Sequence, residues 1–226
     1  MFDLEIVGKR LPLIDSNSKA LGESQFVDDI RMNGVLYGKI FRSPFPHARI
    51  LNIDTSRAKA LPGVKTVITG EDIPKVKFGV YQEWADRYPL ALEKVRHVGE
   101  AVAAVAAIDE ELAEEALNLI RVEYEPLAYY LDPVEAMRPG SLLIHENKEG
   151  NISNRVVRAY GDIERGFSEA DYVREDVFNT MPNNHAAIEP HGTISQWHPD
   201  GSLTVWSSNQ GPFLMRQKLC YVLGLS

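Results

Sequence analysis

Cysteine is nearly absent from this chain. Its 226 residues include one, Cys220, so an intrachain disulfide, a four-cysteine iron–sulfur site and a Cys-x-x-Cys metal knuckle are all excluded. Any iron–sulfur centre that works with the chain must therefore sit on a partner, and Cys220 reads as a small core hydrophobe on an amphipathic helix. Basic residues are also scarce. Lys and Arg number 24 against 32 Asp and Glu, for a net charge of -8, which argues against a protein that neutralises a phosphate backbone. No apolar run approaches the ~18 residues of a membrane span. Met1-Phe2-Asp3-Leu4-Glu5 places acids where a secretory leader carries bases. The expectation is a soluble, cytoplasmic chain with neither nucleic acid nor membrane as partner. Gly-x-x-x-x-Gly-Lys, Gly-x-Gly-x-x-Gly and Gly-x-Ser-x-Gly do not occur, which removes the P-loop, Rossmann and serine-hydrolase readings.

What is present suits a folded core. Hydrophobic residues make up 44% of the chain, enough for one or two domains at this length. The stretch up to about Asp29 has few periodic apolar positions and reads as an extended arm, assigned to residues 1–19. Leu36 to Arg42 alternates as a strand, two prolines break it, and strands resume at about 48–54 and at Val64–Thr69, with a short helix at Ser56–Leu61 between them. Residues 75–95 show no period and read as a long loop. Ala101 to Ile108 is a continuous run of small apolar residues, as in a strand covered on both faces. Asp109 is placed to cap a helix whose first turns carry Glu110, Glu111, Glu114 and Glu115, with Leu112, Ala113, Ala116, Leu117 and Ile120 on one face. Val122-Glu123-Tyr124 reads as a strand and Asp132-Pro133 as the start of a short helix.

Beyond Lys148-Glu149-Gly150-Asn151 the pattern restarts. Val156–Tyr160 and Tyr172–Thr180 read as strands, with a helix capped by Asp162 between them. Ile194–Trp197 and Leu203–Ser207 flank Asp200-Gly201, a hairpin signal. Phe213 to Leu223 suits a helix ended by Gly224. Periodicity alone thus gives two α+β pieces, with the boundary between Arg138-Pro139-Gly140 and Lys148-Glu149-Gly150-Asn151.

Few residues invite chemistry. His47 follows a strand break with no second or third ligand in the same turn, so it reads as a hydrogen-bonded turn residue, with Arg42 and Arg49 tying the turn to carbonyls or acids. Gly99 reads as a tight start to the strand that follows. Asn183, Asn184, His185 and Glu189 place polar groups in a region read as strand, where burial requires a satisfied network or a ligand. Gln210 lies at a strand-to-helix junction, where an amide either caps the helix or bonds a polar ligand.

The string Arg42-Ser43-Pro44-Phe45-Pro46-His47-Ala48-Arg49-Ile50, with Gly8-x-Arg10-x-Pro12-x-x-Asp15 before it and Leu61-Pro62-Gly63-Val64 after it, resembles the amino-terminal part of molybdenum hydroxylase large subunits. That family includes xanthine dehydrogenases, aldehyde oxidoreductases and hydroxybenzoyl-CoA reductases. The resemblance implies an a/b hammerhead domain over residues 20–130, then a linker at 131–150 and, over 151–226, the incomplete start of a molybdopterin-binding α+β domain. It implies a molybdopterin-dependent oxidoreductase, a hydroxylase or reductive dehydroxylase of an aromatic, purine or aldehyde substrate, in which this chain is an amino-terminal segment or split subunit, inactive alone. A non-catalytic hammerhead assembly subunit without molybdenum is the alternative.

Further implications follow from the same likeness. The cofactor is molybdopterin in its cytosine dinucleotide form, with iron–sulfur clusters and FAD on partner subunits, and the remainder of the large subunit is a further partner. Ser207-Ser208-Asn209-Gln210-Gly211-Pro212 resembles the family's Thr-Gln-x-Pro segment, which makes Gln210 the cofactor-binding residue. Asn183, His185 and Glu189 resemble Gln-x-His-x-x-x-Glu, with Asn183 one methylene shorter than the family's glutamine. No catalytic base or metal ligand is expected within the chain. Phe78-Gly79-Val80 and Tyr88-Pro89-Leu90-Ala91-x-x-Lys94-Val95-Arg96 look most like hydroxybenzoyl-CoA reductase large subunits.

Overall fold

The computed structural model describes residues 5–79 and 84–225. The readings made on Met1 to Leu4 and on Val80 fall outside them. Two compact units emerge, and they interleave along the chain: residues up to Asn33 group with Phe178–Pro212, and Gly34–Val177 group with Phe213–Ser226.

The larger unit is built on two three-stranded antiparallel sheets. In the first, β5 (Ala101–Ala107) lies between β1 (Tyr37–Arg42) and β3 (Val64–Thr69). In the second, β2 (Ala48–Asp54) lies between β4 (Lys94–Val95) and β6 (Arg121–Pro126). The small side chains of β5 explain its central place. Ala103 and Val105 project to one side, onto Ala58 of α2 (Ser56–Ala60) and Ala116 of α3 (Glu110–Leu119). Val102 projects to the other, among Ala48, Ala91 and Val95. Both faces of the strand are covered, as a side-chain period of two requires. A fully buried valine contributes about 1.5–3 kcal/mol, so Val67, Val95, Val102 and Val105, all buried, anchor the unit.

The capping residues act as their types suggest. Asp109 accepts from the Leu112 N–H at 2.7 Å and starts α3. Asp132 accepts from Val134 and Glu135 at the head of α4 (Pro133–Ala136). Asp162 accepts from Arg165 at the head of α5 (Ile163–Ser168). The turn before β2 is held as expected of its arginines: Arg42 donates to the Gly99 carbonyl at 2.9 Å and Arg49 pairs with Glu125. Gly99 has a φ of +86°, which suits glycine at the start of that segment.

Two readings need correction here. Val156–Tyr160 and Tyr172–Thr180 are not strands: both are exposed and irregular, because a β-type segment is stable only when a neighbour pairs with it. The arm assigned to residues 1–19 is helical at its end, where α1 (Ser16–Leu21) runs up to Gly22 in the left-handed conformation.

In the smaller unit, β7 (Thr193–Trp197) and β8 (Leu203–Ser207) form the expected hairpin around Asp200-Gly201. Gly192 lies so close to Val27 that a Cβ there would meet Val27 Cγ1 at 2.9 Å. α6 (Pro212–Leu223), which from Phe213 onward belongs to the larger unit, follows β8, carries Cys220 half-buried, and ends at Gly224, whose φ is +68°.

Candidate functional site at the β8 to α6 junction

The link from β8 into α6 is organised by its own polar side chains. Ser208 Oγ accepts from the Gly192 N–H at 2.9 Å and donates to the Pro190 carbonyl at 3.2 Å. Asn209 Oδ1 accepts from the Gly211 N–H at 2.9 Å, and its Nδ2 donates to the Ser207 carbonyl at 3.3 Å. These bonds use up Ser208 and Asn209 and fix the backbone on either side of Gln210. The Gln210 side chain is exposed and bonds to none of the described residues. It presents a free donor and a free acceptor at the start of α6, where Pro212 takes the first helical position and needs no N–H partner.

Ser208 also joins the two segments that the sequence singled out, since its bond to Pro190 brings the end of the Asn183–Pro190 stretch to the junction. The network expected among Asn183, His185 and Glu189 does not form. Asn183 and His185 are exposed and Glu189 is half-buried, and among the described residues no hydrogen bond joins them. The expectation placed them inside a strand region, and because residues 183–187 form no strand and are exposed, no desolvation cost exists there to satisfy. The local order is instead a turn in which Asn184 Oδ1 accepts from the Ala186 N–H at 3.1 Å, with Ala186 at a φ of +48°.

Gln210 fits one polar edge of a pterin or one phosphate oxygen, because an unengaged amide can give and take a hydrogen bond. Among the described residues no group of His, Cys, Asp or Glu is arranged to hold a metal ion. No helix among them is long and apolar enough to cross a membrane.

Sequence reasoning missed a second polar cluster in the larger unit. A cleft of about 270 Å³ is lined by Asp86, Arg87, Arg96, His97, Glu100 and His145. Glu100 is buried and accepts from the Arg96 N–H at 2.5 Å, with His97 Nδ1 at 3.5 Å from the same oxygen. These residues come from three separate stretches, so no local spacing could have shown them together.

Comparison with known proteins matches residues 21–128 to the a/b hammerhead domain of aldehyde oxidase and xanthine dehydrogenase, and residues 144–226 to the molybdopterin cofactor-binding domain. The chain is 36% identical over 212 residues to a probable xanthine dehydrogenase subunit of Bacillus subtilis (strain 168), covering 93% of this chain and 28% of that protein. It is 36% identical over 224 residues to the nicotinate dehydrogenase large molybdopterin subunit of Eubacterium barkeri, covering 99% of this chain and 52% of that one. The crystal structure of the aldehyde oxidoreductase from Desulfovibrio desulfuricans ATCC 27774 superposes with a TM-score of 0.86 at 25% identity, over 98% of this chain and 26% of that one. The chain thus spans between about a quarter and about half the length of these relatives. With the two domain matches in one order along most of its length, the chain belongs to the aldehyde oxidase and xanthine dehydrogenase family and corresponds to the amino-terminal part of its molybdenum hydroxylase large subunits.

Proposed function

We propose that the chain is the amino-terminal portion of a molybdopterin-dependent oxidoreductase, with residues 20–130 as the hammerhead domain, 131–150 as a linker and 151–226 as the first part of the cofactor-binding domain, behind an amino-terminal arm at 1–19. The observation that carries this reading is the paired match of 21–128 and 144–226 to the two domains in that order. In such an enzyme the molybdenum cofactor supplies oxygen transfer to or from a carbon centre, and the protein holds and orients it. Gln210 contacts the cofactor through its free side-chain amide, while Ser208 and Asn209 hold the backbone that presents it. The cofactor is the cytosine dinucleotide form, the remainder of the large subunit is a partner, and iron–sulfur and FAD groups reside on further subunits in the cytoplasm. The stretch Tyr88 to Arg96 supports an aromatic acyl-CoA substrate of the hydroxybenzoyl-CoA reductase type.

The 226-residue chain alone holds no stoichiometric molybdenum and has no activity, because one amide is too small a share of a cofactor cradle. Metal analysis of the chain alone, and of the chain co-purified with the remainder of a large subunit, tests this. Molybdenum should appear only in the second preparation. In that assembly Gln210→Ala should lower molybdenum occupancy by the loss of about one hydrogen bond to a polar or charged group, roughly 1–3 kcal/mol. Stoichiometric metal in the isolated chain, or full occupancy and retention in Gln210→Ala, contradicts the corresponding part of the proposal.

A further inference from the structure

Residues 142–151 are held against the edge of the β4-β2-β6 sheet by a dense set of polar contacts. Glu146 pairs with Lys94 of β4 and lies 3.7 Å from Arg96 Nη2. Arg96 Nε donates to the Ile144 carbonyl at 3.2 Å. Asn151 Oδ1 accepts from the Ile144 N–H at 2.8 Å, and its Nδ2 donates to the carbonyls of Ala136 and Leu142. In the middle of this clamp His145 stands half-buried in the cleft shared with Asp86, Arg87, Arg96, His97 and Glu100.

We propose that His145 is a proton-operated latch: while its imidazole is neutral the Ile144–Glu146 segment stays clamped to β4, and when it takes a proton the clamp loosens.

The charges around it give the sign. Arg96 faces it from just after β4, Lys77 and Arg87 from the loop before β4, and His97 from the cleft wall, while Asp86, Glu100 and its neighbour Glu146, itself paired with Lys94, bring negative charge. Burial comes first and the Arg96 guanidinium second in holding the His145 imidazole below its ordinary value, with Lys77 adding to this and Asp86 and Glu146 opposing it. A histidine whose folded value is lowered binds its proton more readily once released, so the clamp is strongest above the ordinary histidine value. It weakens as the pH falls through that value towards the lowered one. The ion pairs of the clamp do not titrate in that window, because Lys94, and after it the backbone and Arg96, hold the Glu146 carboxyl down to about 2. The exposed His97, whose Nδ1 lies 3.5 Å from the buried Glu100, is the other histidine of the cleft.

Amide hydrogen exchange of the full 226-residue chain reads the latch directly. The Ile144 and Asn151 amides, which donate to Asn151 Oδ1 and to the Lys148 carbonyl, should lose protection between about pH 7.5 and about pH 5.5, by up to roughly tenfold for each pH unit by which the histidine value is lowered. His145→Gln should abolish that dependence, His145→Arg should show low protection already at the upper pH, and His97→Gln should retain the wild-type fall. Protection that is independent of pH in the wild type, or an equal fall in His145→Gln, overturns the latch.

Discussion

His47 and Ala128 are joined across 81 residues by a hydrogen bond of 2.7 Å from the imidazole Nδ1 to the backbone carbonyl oxygen. A carbonyl can only accept, so the Nδ1 position carries the hydrogen. The His47 carbonyl in turn accepts from the Leu127 N–H at 2.9 Å, so side chain and backbone together fasten the start of β2 to the end of β6. At 1% exposure His47 is among the largest fully buried side chains in the molecule. Replacing it by alanine removes this packing and leaves the Ala128 carbonyl without its partner. His47→Ala should destabilise the chain by about 2–4 kcal/mol, measured by urea denaturation. A change within about 0.5 kcal/mol would show that the buried imidazole does not hold the strands.

Gly63 is required for a different reason. Its φ is +95°, and a Cβ would lie 2.4 Å from Leu112 Cδ2 and 3.1 Å from Ile108 Cδ1. Gly63→Ala therefore combines backbone strain with a collision against α3, and should cost about 1–3 kcal/mol. Gly201→Ala is the comparison: its φ is +85° but nothing lies within 4 Å, so strain alone acts and the loss should be smaller. Thermal melts of the two variants settle it, and equal losses would remove the collision from the account.

Limited proteolysis should cut first between residues 152 and 190. Tyr160, Phe178, Met181 and Ile188 are each more than four-fifths exposed there, and the backbone outside α5 makes few internal hydrogen bonds to resist opening. A product containing the two sheets, from near residue 34 to near residue 150, should persist. Mass spectrometry of a short time course identifies it, and cleavage inside β5 or α3 before the 152–190 segment would contradict the expectation.

The sequence was informative where the determinants were local. Asp109, Asp132 and Asp162 each began a helix because a carboxylate caps whatever helix follows it, and Asp200-Gly201 made its hairpin because the turn selects the pairing. The run at 101–107 declared a strand covered on both faces because only small side chains fit between two packed layers. Determinants that lie far apart were hidden. Val156–Tyr160 has strand-like residues but no partner, and composition cannot report a missing neighbour. α1 was overlooked although Asp15-Ser16 and Gly22 bracket it, since six residues hold too little periodicity to outweigh a polar composition. Around the candidate site, the strand-to-helix junction that carries Gln210 was legible from local spacing, whereas the tie from Ser208 to Pro190 and the cleft around His145 depend on tertiary approach.

The interleaving of the two sheets has a consequence for how the chain is made. β1, β2 and β3 pair with β4, β5 and β6 and never with one another. On the ribosome the first three strands therefore emerge with open edges, and they stay open until the segments from Lys94 onward leave the exit tunnel. Contacts so distant in sequence form slowly, and unpaired edges are the surfaces on which nascent chains associate. Synthesis that stalls before Lys94 should leave a product with three strands and no sheet, and this interval is where a chaperone would be needed most.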